Sequence, residues 1–222
     1  MIETIQKFAP LLWENTLVTL GMVGASTLFA YLLGLPMGVL LRVTDRGGIM
    51  ENHAFNSVFG WVVNILRSLP FIILMISISP FTRLLVGKAI GPVAACVPLV
   101  IGAAPFVARL VETSLAEIDT GMIEAAKCMG ATNWQIISKV MVRESVPSLI
   151  RGLSISTITI LGYSAMAGAI GGGGLGDVAI RYGQHRFEPK VMLLTIILLV
   201  IIVCVIQIVF DRLSTRLDKR NR

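Results

Sequence analysis

VMLLTIILLVIIVCVIQIVF, residues 191–210, contains no charged side chain. A helix of about 20 apolar residues crosses the hydrocarbon core of a bilayer, so this run reads as a membrane span. It is the most apolar of several. Leu17–Leu41, Ala89–Ala108 and Gly152–Gly176 also carry no charge, although the last third of the final run is glycine-rich. Val58–Ser79 carries one charge, Arg67. Hydrophobic residues make up 55% of the 222-residue chain and charged residues only 14%, against about 25% charged in soluble domains. The expectation is an all-α integral membrane protein with five transmembrane helices in one membrane domain.

The net charge of +6 does not point to nucleic acid. The aromatic residues lie in apolar runs, and no basic stripe is interleaved with them. The excess reads instead as a topology signal. Five spans put the termini on opposite sides. The tail carries Arg212, Arg216, Lys219, Arg220 and Arg222, whereas the head has only Lys7. The tail is therefore expected to be cytoplasmic and the head outside, with twelve basic residues on the inner side and six on the outer. Cys96, Cys128 and Cys204 lie far apart without metal-ligand spacing, so neither a disulfide framework nor a metal site is expected. A cleaved leader is not expected either, because the first apolar run is too long and lacks an Ala-x-Ala end.

One stretch between the third and fourth spans breaks the apolar pattern: EAAKCMGATNWQIISKV, Glu124–Val140. The topology puts it in the cytoplasm, in a loop too long for a plain connector. Asp119 and Thr120 are good N-caps, and Glu124 suits the positive end of a helix dipole. Gly130 can take the left-handed conformation that closes a helix. Thr132-Asn133-Trp134-Gln135 has the form of a capping box opening a second helix. Ala125, Ala126, Gly130 and Ala131 would allow close backbone approach, and Met122, Ile123 and Met129 supply adaptable apolar contact. From pattern alone two readings stand: a short helix that inserts into a groove of a soluble partner, or an amphipathic hairpin lying on the membrane surface.

The same stretch resembles the Glu-Ala-Ala…Gly loop of permease subunits in bacterial ATP-binding-cassette (ABC) importers. RSLPFIILM, PFTRLLVG, IGAAPFVARLVE and GYSAMAGAIGGGGLG extend the resemblance over nearly the whole chain, with methionine-importer permeases the most similar members. The sequence departs from that pattern at Arg143-Glu144-Ser145-Val146-Pro147, where an apolar-Pro ending is more usual. The resemblance implies a type I ABC importer permease fold. It implies that Glu124, Ala125, Ala126 and Gly130 couple to a cytoplasmic ATPase, with Gly130 letting the turn fit the ATPase cleft; Met129 and Ala131, read above as contact-forming, complete the expected coupling set. It also implies a second permease copy, an ABC ATPase dimer, an extracytoplasmic substrate-binding protein and a location in the bacterial inner membrane. The domain plan is an outer N-terminal segment over 1–14, a permease domain over 15–212 containing the coupling loop 114–147, and a basic cytoplasmic tail over 213–222.

Polar residues crowd the fourth span. Ser156, Thr159 and Tyr163 share a helical face by spacing. With two permeases side by side that face would line a route; the alternative is interhelical packing by small hydroxyl residues. The resemblance puts this segment at a subunit interface, which makes Tyr163 and Met166 pore-facing, Met166 as an apolar gate. Gly171–Gly174 lacks the Lys-Ser/Thr of a phosphate loop and reads as a bend or re-entrant turn. Asp177 and Arg181 form an i,i+4 pair, either a contact for the binding protein or solvated charges. Arg67 is read as a structural charge within the membrane, one that satisfies a carbonyl freed by Pro70 and holds a kink, with snorkelling toward the headgroups as the alternative.

No catalytic constellation, metal pattern or cofactor motif stands out. The expected function is a transporter subunit without an ATPase site of its own, carrying a small amino acid, with methionine implied by the resemblance. A self-sufficient channel or secondary carrier is the competing reading. It is weakened by the lack of an intramembrane carboxylate to relay protons. A membrane enzyme or scaffold is a third.

Overall fold

The computed structural model describes residues 2–217, with side chains from Gln6 onward. Lys219, Arg220 and Arg222 of the basic tail lie outside the described residues. Every regular element among the described residues is helical. Helices α1 (Ile2–Thr44), α2 (His53–Ser68), α3 (Phe71–Ser77), α4 (Ser79–Val86) and α5 (Pro92–Ala116) form the first half. They are followed by α6 (Thr120–Cys128), α7 (Asn133–Gln135), α8 (Val142–Glu144), α9 (Val146–Ala167), α10 (Gly174–Val178) and α11 (Pro189–Leu217). Wider-turned segments at Ile136–Met141, Gly168–Gly172 and Ala179–His185 lie between them.

Four stretches are long and apolar enough to cross a membrane: Gln6–Thr44, Pro92–Ala116, Val146–Gly172 and Pro189–Leu217. The second expected span differs from the sequence reading. It is not one helix but a pair, α2 and α3, with the chain bent by 98° between them. Only if that pair counts as one span does the total reach five. The cause is Pro70. It lacks an N–H for the helix ladder and pushes Leu69 out of helical backbone geometry. Pro70 itself is extended (φ −59°, ψ 130°) and caps α3, its carbonyl accepting from the Leu74 N–H at 3.0 Å. The third span also differs: α5 runs to Ala116 rather than stopping at Ala108. Arg109 and Glu112 therefore lie inside the helix and not in a loop.

The chain forms two compact units. One comprises, among the described residues, residues 2–30, Leu69–Gly102 and Thr157–Gln207. Its apolar core gathers Leu12, Leu175, Val178 and Val191, with Phe8, Leu11 and Leu194 packed against them. The glycine run makes a hairpin here, as the bend reading allowed. Ile170 (φ −108°, ψ 19°) and Gly171 (φ 87°) leave helical geometry, and Gly173 and Gly174 have φ of 78° and 76°. Those positive angles favour glycine, which adopts them without a Cβ penalty. The Gly91 N–H donates to Gly171 O at 3.1 Å. The Leu175 N–H, at the start of α10, donates to Thr19 Oγ1 at 2.8 Å. Backbone meets backbone across the hairpin: a Cβ on Gly176 would overlap the Ala165 carbonyl, and one on Gly168 would overlap the Asp177 amide.

The second unit comprises, among the described residues, Tyr31–Ser68, Ala103–Ser156 and residues 208–217. Its core holds Leu41, Val63 and Ala108, flanked by Met37 and Phe59. Gly34 and Gly38 of α1, four residues apart, let α5 approach closely. Side chains there would run into Ala104, Val107, Ala108 and Val111, which is the small-residue packing of membrane helices. Asn56 Nδ2 ties α2 to α1 by donating to Leu41 O at 2.7 Å. Ser145 Oγ donates to Ser114 O at 3.1 Å, and Ser214 Oγ to Pro147 O at 2.9 Å. These bonds satisfy polar groups that lipid cannot.

Candidate functional site: an exposed elbow and the polar faces of the long helices

Between α5 and α9 the chain leaves the long helices and builds an elbow from local signals. Asp119 is extended (φ −61°, ψ 125°) and caps α6, accepting from the Gly121 N–H at 2.7 Å. At the other end of α6 the Ala131 N–H donates to Ala126 O at 3.1 Å and the Gly130 N–H to Lys127 O at 2.9 Å. This pair of bonds is a Schellman closure, which needs a left-handed residue. Gly130 supplies it, with φ of 77°. Thr132 and Gln135 then form the expected capping box. The Thr132 N–H donates to Gln135 Oε1 at 2.9 Å, and the Gln135 N–H to Thr132 Oγ1 at 3.4 Å.

The elbow has an inner and an outer side. Ile123, Ala126, Ile136 and Met141 are buried. Glu124, Ala125, Met129 and Gly130 are exposed and Ala131 is half-buried. Ala126 thus faces the protein's own core, unlike the rest of the small-residue set read from the sequence. The outer side carries Met129 at 82% exposure and Trp134 at 73%. An added Cβ on Gly130 would meet nothing within 4 Å. Large apolar side chains left open beside a glycine turn form a surface suited to a partner.

The residues expected along a route are placed on α9 and differ in their surroundings. Ser156 is fully buried. Its hydroxyl reaches Gly152 O at 2.9 Å, Leu153 O at 3.0 Å and Tyr31 Oη at 3.5 Å. Thr159 is half-buried. Tyr163 stacks on Phe71, with ring centroids 4.6 Å apart and the planes parallel to within 1°. Met166 is exposed. Pro70 occupies the break after α2, as described. Arg67, in the last turn of α2, is exposed. In the same turn Ser68 Oγ donates to Ile65 O at 2.8 Å. Asp177 and Arg181 form an ion pair.

The sequence reading missed another set. Arg109 Nη1 donates to Glu112 Oε2 at 2.6 Å, and its Nη2 donates across to Gly60 O on α2 at 3.0 Å. Arg109 and α2 residues Asn56, Ser57, Val58, Gly60, Trp61 and Asn64 line a groove of about 590 Å³. The signal was present in the polar spacing 57, 61, 64 and 68. The uncharged run that stops at Ala108 hides it, because Arg109 then reads as the first residue beyond a span.

Residues 30–222 match the family described as binding-protein-dependent transport system inner membrane component. The probable D-methionine transport system permease protein MetI of Vibrio cholerae serotype O1 is 50% identical over 210 residues, covering 95% of this chain and 93% of that protein. The methionine import system permease protein MetP of Bacillus subtilis is 48% identical over 209 residues, covering 94% of each. A chain of the inward-facing MetNI methionine ABC transporter superposes with a TM-score of 0.95 at 46% identity, covering 96% of this chain and 99% of that one.

Proposed function

This chain belongs to the binding-protein-dependent transport system inner membrane component family, and we propose that it is the permease of an ATP-driven methionine importer. The observation that carries the mechanism is the elbow. Its caps hold a rigid α6 whose outer side ends in Met129 and Gly130, both exposed. A short, capped helix of this kind suits a groove on a soluble partner. Glu124, Ala125, Met129, Gly130 and Ala131 make that contact, while Ala126 anchors α6 from within. The partner is a cytoplasmic ATPase dimer, which binds and hydrolyses ATP. The permease supplies no catalytic chemistry.

Closure of the ATPase pushes on α6, and the capping box passes that movement into the helical segment from Asn133 towards α9. Ser145, which bonds back to Ser114 O on α5, links that segment to the end of α5. Two permease copies enclose the route, with Thr159, Tyr163 and Met166 of α9 beside it and Met166 as its apolar gate. Ser156, bonded into its own helix, contributes packing. An extracytoplasmic binding protein delivers the amino acid, with Asp177 and Arg181 in its docking surface. The N-terminus is outside and the C-terminus cytoplasmic, in keeping with the basic tail.

Copurification with the ATPase, followed by uptake of labelled methionine into vesicles in the presence of the binding protein, tests the reading. Uptake is expected only with ATP. Gradient-driven uptake by the permease alone would overturn it in favour of a channel or carrier.

A further inference from the structure

Helix α2 presents two different exposed faces. Ser57, Trp61, Asn64 and Ser68 recur at the spacing of one helical stripe, and all four are exposed. Val58, Val62 and Ile65 repeat the same spacing one residue on, about 100° round the helix, and are also exposed. The remaining side, at Gly60 and Val63, is buried. Val58, Val62 and Ile65 can face lipid without penalty. Ser57 and Asn64 cannot, because a hydroxyl or amide without partners is costly in hydrocarbon. Neither makes a hydrogen bond with another described residue. The polar stripe therefore needs water, a polar solute or the second permease copy beside it, and the groove it shares with Arg109 favours the first two.

Arg109 borders the same groove. It lies seven residues before the end of α5, about 10 Å along the axis. Glu112 and Gly60 O engage one N–H on each terminal nitrogen. A guanidinium has two on each, so one N–H per terminal nitrogen is left over. Glu112 and the carbonyl hold the planar group in place, and a planar guanidinium recognises a carboxylate through two parallel hydrogen bonds.

We propose that the Ser57–Trp61–Asn64–Ser68 face lines the route of the transported amino acid and that Arg109 contacts the carboxylate of that solute. This deepens the importer reading and rests on it. Glu112 and Gly60 act as positioning residues for Arg109.

The test uses the assembled permease–ATPase complex in vesicles, in a C96A/C128A/C204A background, with Asn64→Cys or Val62→Cys added singly. A charged methanethiosulfonate reagent, confined to water, is expected to label Asn64→Cys about tenfold faster than Val62→Cys, the rate ratio that a barrier difference of about 1.4 kcal/mol gives. Equal rates, or an unreactive Asn64→Cys, would overturn the route. Millimolar methionine is expected to slow labelling of Asn64→Cys, whereas methioninol, which has no carboxylate, leaves it unchanged. Adding Arg109→Gln is expected to remove the protection by methionine. Equal effects of methionine and methioninol, or protection that survives Arg109→Gln, would overturn the carboxylate contact. If Arg109→Gln fails to assemble, the comparison of the two solutes decides alone. ATP-driven uptake by the cysteine-free complex is measured separately. Its absence there and in the native complex would sink the importer reading and leave the labelling result to judge the route.

Discussion

Arg109 lies across the backbone of Gly60. Its Nη2 donates to the Gly60 carbonyl at 3.0 Å, and a Cβ on residue 60 would stand 3.2 Å from that same nitrogen. A small residue at this position of α2 is thus what lets a charged group of α5 reach a carbonyl within a helix pair.

Substitution at Gly60 should therefore be graded by size. In Gly60→Ala the flexible end of Arg109 shifts by a few tenths of an ångström, and alanine favours helix over glycine by about 1 kcal/mol. Near-native thermal stability of the purified complex is expected. Gly60→Leu should displace the guanidinium and lose a charge-assisted bond worth about 1.5–3 kcal/mol, with a matching drop in melting temperature. Equal stability of the two variants would contradict the geometry.

Gly130 separates strain from contact. Any other residue there adopts a left-handed conformation at about 1–2 kcal/mol, but its Cβ meets no atom of this chain. Gly130→Ala should fold and insert with a small loss of stability. Gly130→Trp should also reach the membrane, yet abolish ATP-driven uptake by blocking the partner. Uptake at the native rate in Gly130→Trp would remove the elbow from the coupling mechanism.

The capping box gives a separable prediction about transmission. Thr132→Ala removes the acceptor for the Gln135 N–H, at about 1 kcal/mol. Faster amide exchange is expected at residues 133–136, with α6 unaffected. Unchanged exchange there would show that the box does not hold this segment.

At the glycine hairpin the expected effect is large. A Cβ on Gly176 would overlap the Ala165 carbonyl, and the obstacle is backbone that cannot rotate aside. Overpacking of this kind costs about 1–3 kcal/mol or more. Gly176→Val should lower the yield and melting temperature of the complex well below those of Gly162→Val, since a Cβ on Gly162 meets nothing within 4 Å. Similar behaviour of the two variants would argue against the close approach.

Features set by neighbouring residues were readable in the sequence. Apolar length marked the long helices, and Asp119, Gly130 and the Thr132–Gln135 box marked the elbow, because caps depend on residues three or four apart. Features set by contacts between helices were not. Ala126 looked equivalent to Ala125 until the fold turned it inward. Pro70 was visible as a disturbance, but the apolar run through it concealed a full break. Arg109 looked like a loop residue because a charge next to an uncharged run suggests the end of a span. Only its carbonyl partner on α2, 49 positions earlier in the chain, gives that charge a place inside a helix.

The hairpin between α9 and α10 has a mechanical consequence. Where main chain abuts main chain, no rotamer change can absorb a displacement, and interiors packed this closely compress little. The last turn of α9 and helix α10, which share one compact unit, must then move together, and a swing of α9 at this hairpin is carried to the residues that follow Gly174.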